Sequence, residues 1–88
     1  MLTLNDCGIK SLKNFPRLPR LIRLDLVFNE IVGEDLVCLQ HSKHLQTLML
    51  GANKVEKLEH LKPIMHMKKL LQLDLINNPI SKVAGFRN

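Results

Sequence analysis

The residues best suited to chemistry in this chain are its two cysteines and four histidines. Cys38-x-x-His41-x-x-His44 sets three potential metal ligands close together, with His60 and His66 further on. A closed zinc site needs four ligands converging in a tetrahedron from defined spacings. On one short helix, positions 38 and 44 face quite different sides, so the pattern reads as a solvated face and no metal is expected. Asp25 and Asp74 are the other candidates, as a pair sharing one proton. Two strands apart, at about 4.8 Å per strand, they stand roughly 10 Å from each other, too far for that chemistry. The chain has no Gly-x-x-x-x-Gly-Lys phosphate loop, no Gly-x-Ser-x-Gly and no His-Glu-x-x-His. These residues predict a non-enzymatic protein with no cofactor.

What must position them is a repeat. Leu21-x-x-Leu24-x-Leu26-x-x-Asn29-x-Ile31 returns as Leu45-x-x-Leu48-x-Leu50-x-x-Asn53-x-Val55 and as Leu70-x-x-Leu73-x-Leu75-x-x-Asn78-x-Ile80. A partial copy, Leu2-x-Leu4-x-x-Cys7-x-Ile9, opens the chain. The successive steps from Leu2 to Leu24, Leu48 and Leu73 are 22, 24 and 25 residues, the period of a leucine-rich repeat. In Leu24-Asp25-Leu26 the leucines sit two apart, so an extended strand turns both to one face and Asp25 to the other. The Asn that follows offers amide donors and an acceptor to loop backbone groups that burial would otherwise strand. Cys7 takes that slot in the first copy with weaker bonding capacity.

The returns between strands predict short helical turns. Leu12, Phe15 and Leu18 are spaced by three, with Pro16 and Pro19 among them, which suits 3₁₀ turns. Gly33 loosens the backbone, and Leu36 and Leu39 line a helix from about Glu34 to Ser42, with Glu34 and Asp35 at its N-terminus. Leu58, Leu61, Ile64 and Met67 again fall every third residue, with Pro63 interrupting any long helix. Pro79 is expected to fix an extended turn after the fourth strand. The predicted fold is an α/β leucine-rich-repeat solenoid, a right-handed superhelix. Four parallel strands form its concave face, and helical or 3₁₀ segments its convex face. Residues 1–88 make one domain, with repeats at about 1–20, 21–44, 45–69 and 70–88.

Bulk properties narrow the setting. At 88 residues the chain is marginal as a globule, but about three stacked repeats suffice for a solenoid. Cys7 and Cys38 occupy different repeat positions, which favours a reducing compartment, nucleus or cytoplasm. No apolar run approaches a membrane span and no signal peptide opens the chain. The net charge is +5, concentrated in Lys10, Lys13, Arg17, Arg20 and Arg23. Such a basic end steers acidic partners or nucleic acid, although three phenylalanines with no Tyr or Trp leave little for bases to stack on.

In this register the chain resembles the acidic leucine-rich nuclear phosphoprotein family. The resemblance is carried by Phe15-Pro16-Arg17-Leu18-Pro19-Arg20-Leu21, Leu24-Asp25-Leu26 and Gly51-Ala52-Asn53-Lys54-Val55. Leu58…Leu61-Lys62-Pro63-Ile64, Leu73-Asp74-Leu75, Asn78-Pro79-Ile80-Ser81-Lys82 and Phe86-Arg87 carry it further. The family's N-terminal helix and first repeat have no counterpart before Met1, and the rest of its cap and its acidic tail none after Asn88. The resemblance implies a protein-interaction module, with a histone or a phosphatase subunit as possible partner. The spliceosomal A-prime protein shares the Asn-Pro and aromatic-Arg end and implies a ribonucleoprotein alternative through Lys10, Lys13, Arg17 and Arg20.

The expected binding surface is the concave face. Thr3, Arg23, Asp25, Val27, Phe28, Thr47, Met49, Gln72, Asp74 and Ile76 should project from it. Val27 and Phe28 with Met49 and Ile76 form an apolar patch of the kind that marks partner contacts. Phe28 either anchors a partner or folds back over the edge of the core. The ends are expected to expose Leu2, Leu4, Ile9 and Leu12 on one side and Leu73, Leu75, Ile80 and Val83 on the other. The chain is therefore expected to self-associate end to end or to be part of a longer protein.

Overall fold

A computed structural model describes residues 1–13, 15–16 and 18–82. Arg17, Val83, Phe86 and Arg87, singled out above, lie outside the described residues. The strands are β1 (Leu2–Thr3), β2 (Arg23–Asp25), β3 (Thr47–Met49) and β4 (Gln72–Asp74). They form one parallel sheet in sequence order. The register follows the repeat: Leu2 stands beside Leu24, Leu24 beside Leu48, and Leu48 beside Leu73. Leu24, Leu26, Leu48 and Leu50 are fully buried, so alternation on each short strand converts directly into a shared core.

The returns bury the other half of that core. Gly33–Leu39 is a 3₁₀ segment, tighter and shorter than the helix expected from Glu34 to Ser42. Its Leu36 and Leu39 are fully buried as expected. Asp35 does not simply complement a helix terminus: it is buried, and its Oδ2 accepts the Leu12 backbone N–H at 3.2 Å. Leu58–Leu61 is another 3₁₀ turn, followed by α1 (Lys62–Met65). No long helix forms around Pro63, as expected; it sits in the first turn of this four-residue helix, where its missing N–H needs no partner. Leu61 and Ile64 are buried, whereas Leu58 is half exposed. Pro79 likewise opens a 3₁₀ turn, Pro79–Lys82, instead of an extended one.

The ends expose less core than the repeat pattern suggested. Leu12, Leu75 and Ile80 are buried. Leu2, Leu4, Ile9 and Leu73 are partly covered and pack against the core cluster. Among the described residues no helix is long and apolar enough to cross a membrane.

Candidate functional site

The turn after each strand determines what the concave face can present. Asn29, Asn53 and Asn78 are buried there. Asn53 Nδ2 donates to Leu26 O at 2.8 Å in the preceding repeat and to Leu50 O at 3.0 Å in its own. Its Oδ1 accepts the Ile31 N–H at 3.1 Å. Asn29 bonds in the same way to Leu4 O, Leu26 O and the Ile9 N–H. Asn78 does so with Leu50 O and the Val55 N–H. Each side chain thus ties two repeats together through groups that burial would leave unpaired. Cys7 departs from the expected role. It is exposed, its Sγ bonds the Asn5 carbonyl, and its own N–H is taken by Asn29.

The residue before each of these four positions has a left-handed backbone: Asp6 (φ 52°), Phe28 (φ 59°), Ala52 (φ 55°) and Asn77 (φ 62°). Asp and Asn adopt this conformation readily, but a bulky Phe does not. The strain is held by the ladder, for the Phe28 N–H bonds Gly51 O at 3.0 Å. The outcome is a Phe28 that is 64% exposed, which excludes its folding back over the core.

Register arranges the outward residues in rows. Thr3, Asp25, Met49 and Asp74 are neighbours across the sheet, as are Arg23, Thr47 and Gln72. Asp25, expected among the contact residues, is paired within its own strand. Arg23 Nε donates to Asp25 Oδ1 at 2.9 Å and Nη2 to Oδ2 at 3.2 Å, leaving the Asp25 side chain only 11% exposed. A two-pronged charge-assisted pair of this kind fixes both side chains. Asp74 lies over Gly51, where an added Cβ would meet its Oδ2 at 2.7 Å. Its Oδ1 accepts the Ile76 N–H at 3.1 Å, and no cation pairs with it among the described residues. Ile76 and Gln72 are exposed, while Val27, Thr47 and Met49 are half-buried. Among the expected contact residues, Phe28, Gln72 and Ile76 are exposed, Arg23 is exposed but bound to Asp25, and Asp74 is half-buried.

Two features escaped sequence reasoning. Ile22 and Leu71 are exposed at the residue before their strands, where Ile22 O binds the Gln46 and Thr47 N–H groups and Gln46 O those of Leu71 and Gln72. Gly33 does not merely loosen the chain. The His60 ring packs on it so closely that a Cβ would lie 2.7 Å from His60 Cγ. Of the sequence candidates for metal binding, Cys38 is half-buried, His41 is exposed, and exposed His44 turns Nδ1 to Lys69 Nζ at 3.2 Å.

Stacked parallel strands, an Asn ladder and short convex returns define a leucine-rich-repeat solenoid. A model of the family described as leucine-rich repeat matches residues 1–88, and the chain belongs to that family. It is 58% identical over 88 residues to a histone of Tetrahymena thermophila, covering all of this chain and 23% of the relative. It is 43% identical over 86 residues to acidic leucine-rich nuclear phosphoprotein 32 family member A of Drosophila melanogaster, covering 98% of this chain and 33% of the relative. The expected phosphoprotein resemblance is thus present along nearly the whole chain. A chain in the crystal structure of the Drosophila melanogaster SNF/U2A' complex superposes with a TM-score of 0.78 at 32% identity. That match covers 93% of this chain and 48% of the other. The chain spans less than half the length of each of these proteins.

Proposed function

We propose that this chain is a non-catalytic docking module for a nuclear protein partner, engaged through the concave face. The observation that carries this reading is Phe28, an aromatic held out in solvent by a strained turn on the face that also presents Ile76, Arg23 and Asp74. A large exposed aromatic that costs folding energy is well suited to anchor an interface. The relatives support a nuclear setting, since their names are those of a histone and a nuclear phosphoprotein. Core histones are the first partner to test, and phosphatase subunits the second. Immobilised protein carrying this chain is expected to bind one of them, and Phe28→Ala to weaken that binding by about 2 kcal/mol, typical of a hot spot. Unchanged affinity for Phe28→Ala and Asp74→Ala, with loss on changing convex Lys57 or His60, overturns the assignment.

A second reading has support in the likeness to a chain of the SNF/U2A' complex. It makes the module part of a ribonucleoprotein, with Lys10, Lys13, Arg17 and Arg20 contacting nucleic acid. Steep salt dependence of RNA binding, reduced by substituting those residues, would favour it.

A further inference from the structure

The return side carries a second feature, unrelated to the concave face. His41, Lys43 and His44, from the end of the second repeat, and His66, Lys68 and Lys69, from the end of the third, line an open groove of about 670 Å³. Pro63 and Met67 supply apolar surface within it. None of its lining residues is acidic. The close contacts between basic side chains and carboxylates among the described residues all lie elsewhere, at Arg23–Asp25, Lys54–Glu30 and His60–Glu34.

Lys43, Lys68 and Lys69 therefore bring three positive charges into one concavity without a neutralising carboxylate. These three belong to a chain with a formal net charge of +5 and form a cationic cluster separate from Lys10, Lys13, Arg20 and Arg23. A concave wall of low polarisability focuses such a field and draws anions. Lys69 Nζ lies 3.2 Å from His44 Nδ1, so this ammonium faces an imidazole and not a carboxylate or phosphate, with which it would pair better. An anion seated beside the pair gains a cation and an imidazole at once.

We propose that this groove docks an anionic stretch of peptide, whose carboxylate or phosphate oxygens are held by Lys43, Lys68 and Lys69 with His44 beside them. A peptide fits better than a nucleic acid. Pro63 and Met67 accept aliphatic side chains between the charges, and the groove has no Phe, Tyr or Trp platform on which bases stack. Carboxylate and phosphate share the recognition chemistry, since a lysine ammonium acts on either as a point charge.

The test is calorimetry on the protein carrying this chain with four probes: a glutamate-rich peptide, the same backbone with one phosphoserine, its uncharged serine version, and a single-stranded RNA. One or both anionic peptides should bind, and the tighter of them names the natural source of the anion. Lys43→Gln with Lys69→Gln should weaken that binding about tenfold. Lys10→Gln with Lys13→Gln removes equal charge elsewhere and should change it less than about twofold. Amide NMR shifts on the unsubstituted protein should move at residues 41–44 and 66–69, which keeps the result independent of variant folding. Absence of peptide binding overturns the proposal. So does equal weakening by both double variants, or tighter RNA binding that depends on Lys43 and Lys69.

Discussion

The two sides of this solenoid are built on different rules. On the turn side the repeats share one plan, an outward strand residue followed by a left-handed residue; a buried Asn joined to its neighbour comes next in three of them, and the exposed Cys7 takes that place in the first. Where Pro79 removes the N–H that Glu30 and Lys54 donate in their repeats, the Ile80 N–H takes over and bonds Val55 O at 2.9 Å. On the return side the second and third repeats differ. One return has the 3₁₀ segment Gly33–Leu39, and the next passes from Leu58–Leu61 into the short α1. The turn side must satisfy buried backbone groups at fixed strand spacing, which leaves little freedom. The return side need only cover leucines, and several geometries do that. The cationic groove lies among these less constrained returns.

The largest test of this contrast is Asn53→Ala. It removes bonds to Leu26 O, Leu50 O and the Ile31 N–H at once. Buried groups left unpaired cost about 1–3 kcal/mol each, so urea unfolding should show a loss of about 3 kcal/mol. The exposed return-side control Lys57→Ala should stay within about 0.5 kcal/mol. Equal midpoints for the two would erase the distinction between the sides.

A smaller effect is expected at Gly33, the return-side position where a neighbouring repeat packs directly on the backbone. Gly33→Ala forces a Cβ into the His60 ring and should cost about 1–3 kcal/mol. His60→Ala in the same chain should recover most of that loss, a coupling that a double-mutant cycle reads directly. If the two losses simply add, Gly33 serves the backbone and not the ring.

The smallest effect has the opposite sign. Phe28→Asn places a residue tolerant of the left-handed conformation at φ 59° and should stabilise the fold by about 0.5–1 kcal/mol. The same change should weaken partner binding on the concave face. A thermal melt and a binding measurement on one variant then separate the turn's folding role from its proposed contact role. Loss of stability would show that the Phe28 side chain contributes to the fold despite its exposure.

The strands, the core leucines and the Asn ladder were legible in the sequence alone. The reason is that they depend on local alternation repeated at a fixed step: Leu24, Leu48 and Leu73 had to stack once their strands formed. The left-handed row was half legible, since Asp6 and Asn77 favour that conformation while Phe28 and Ala52 give no sign of it. The outward residues fell into rows by strand register, but the state of their charges was not foreseen. Asp25 and Asp74 occupy equivalent positions in their repeats, yet Arg23 covers one and the notch above Gly51 receives the other. Only tertiary structure decided that, because each outcome depends on which side chains stacking makes neighbours. The same holds for Gly33 beneath His60 and for His44 beside Lys69, pairs distant in sequence that meet only when one repeat lies on the next.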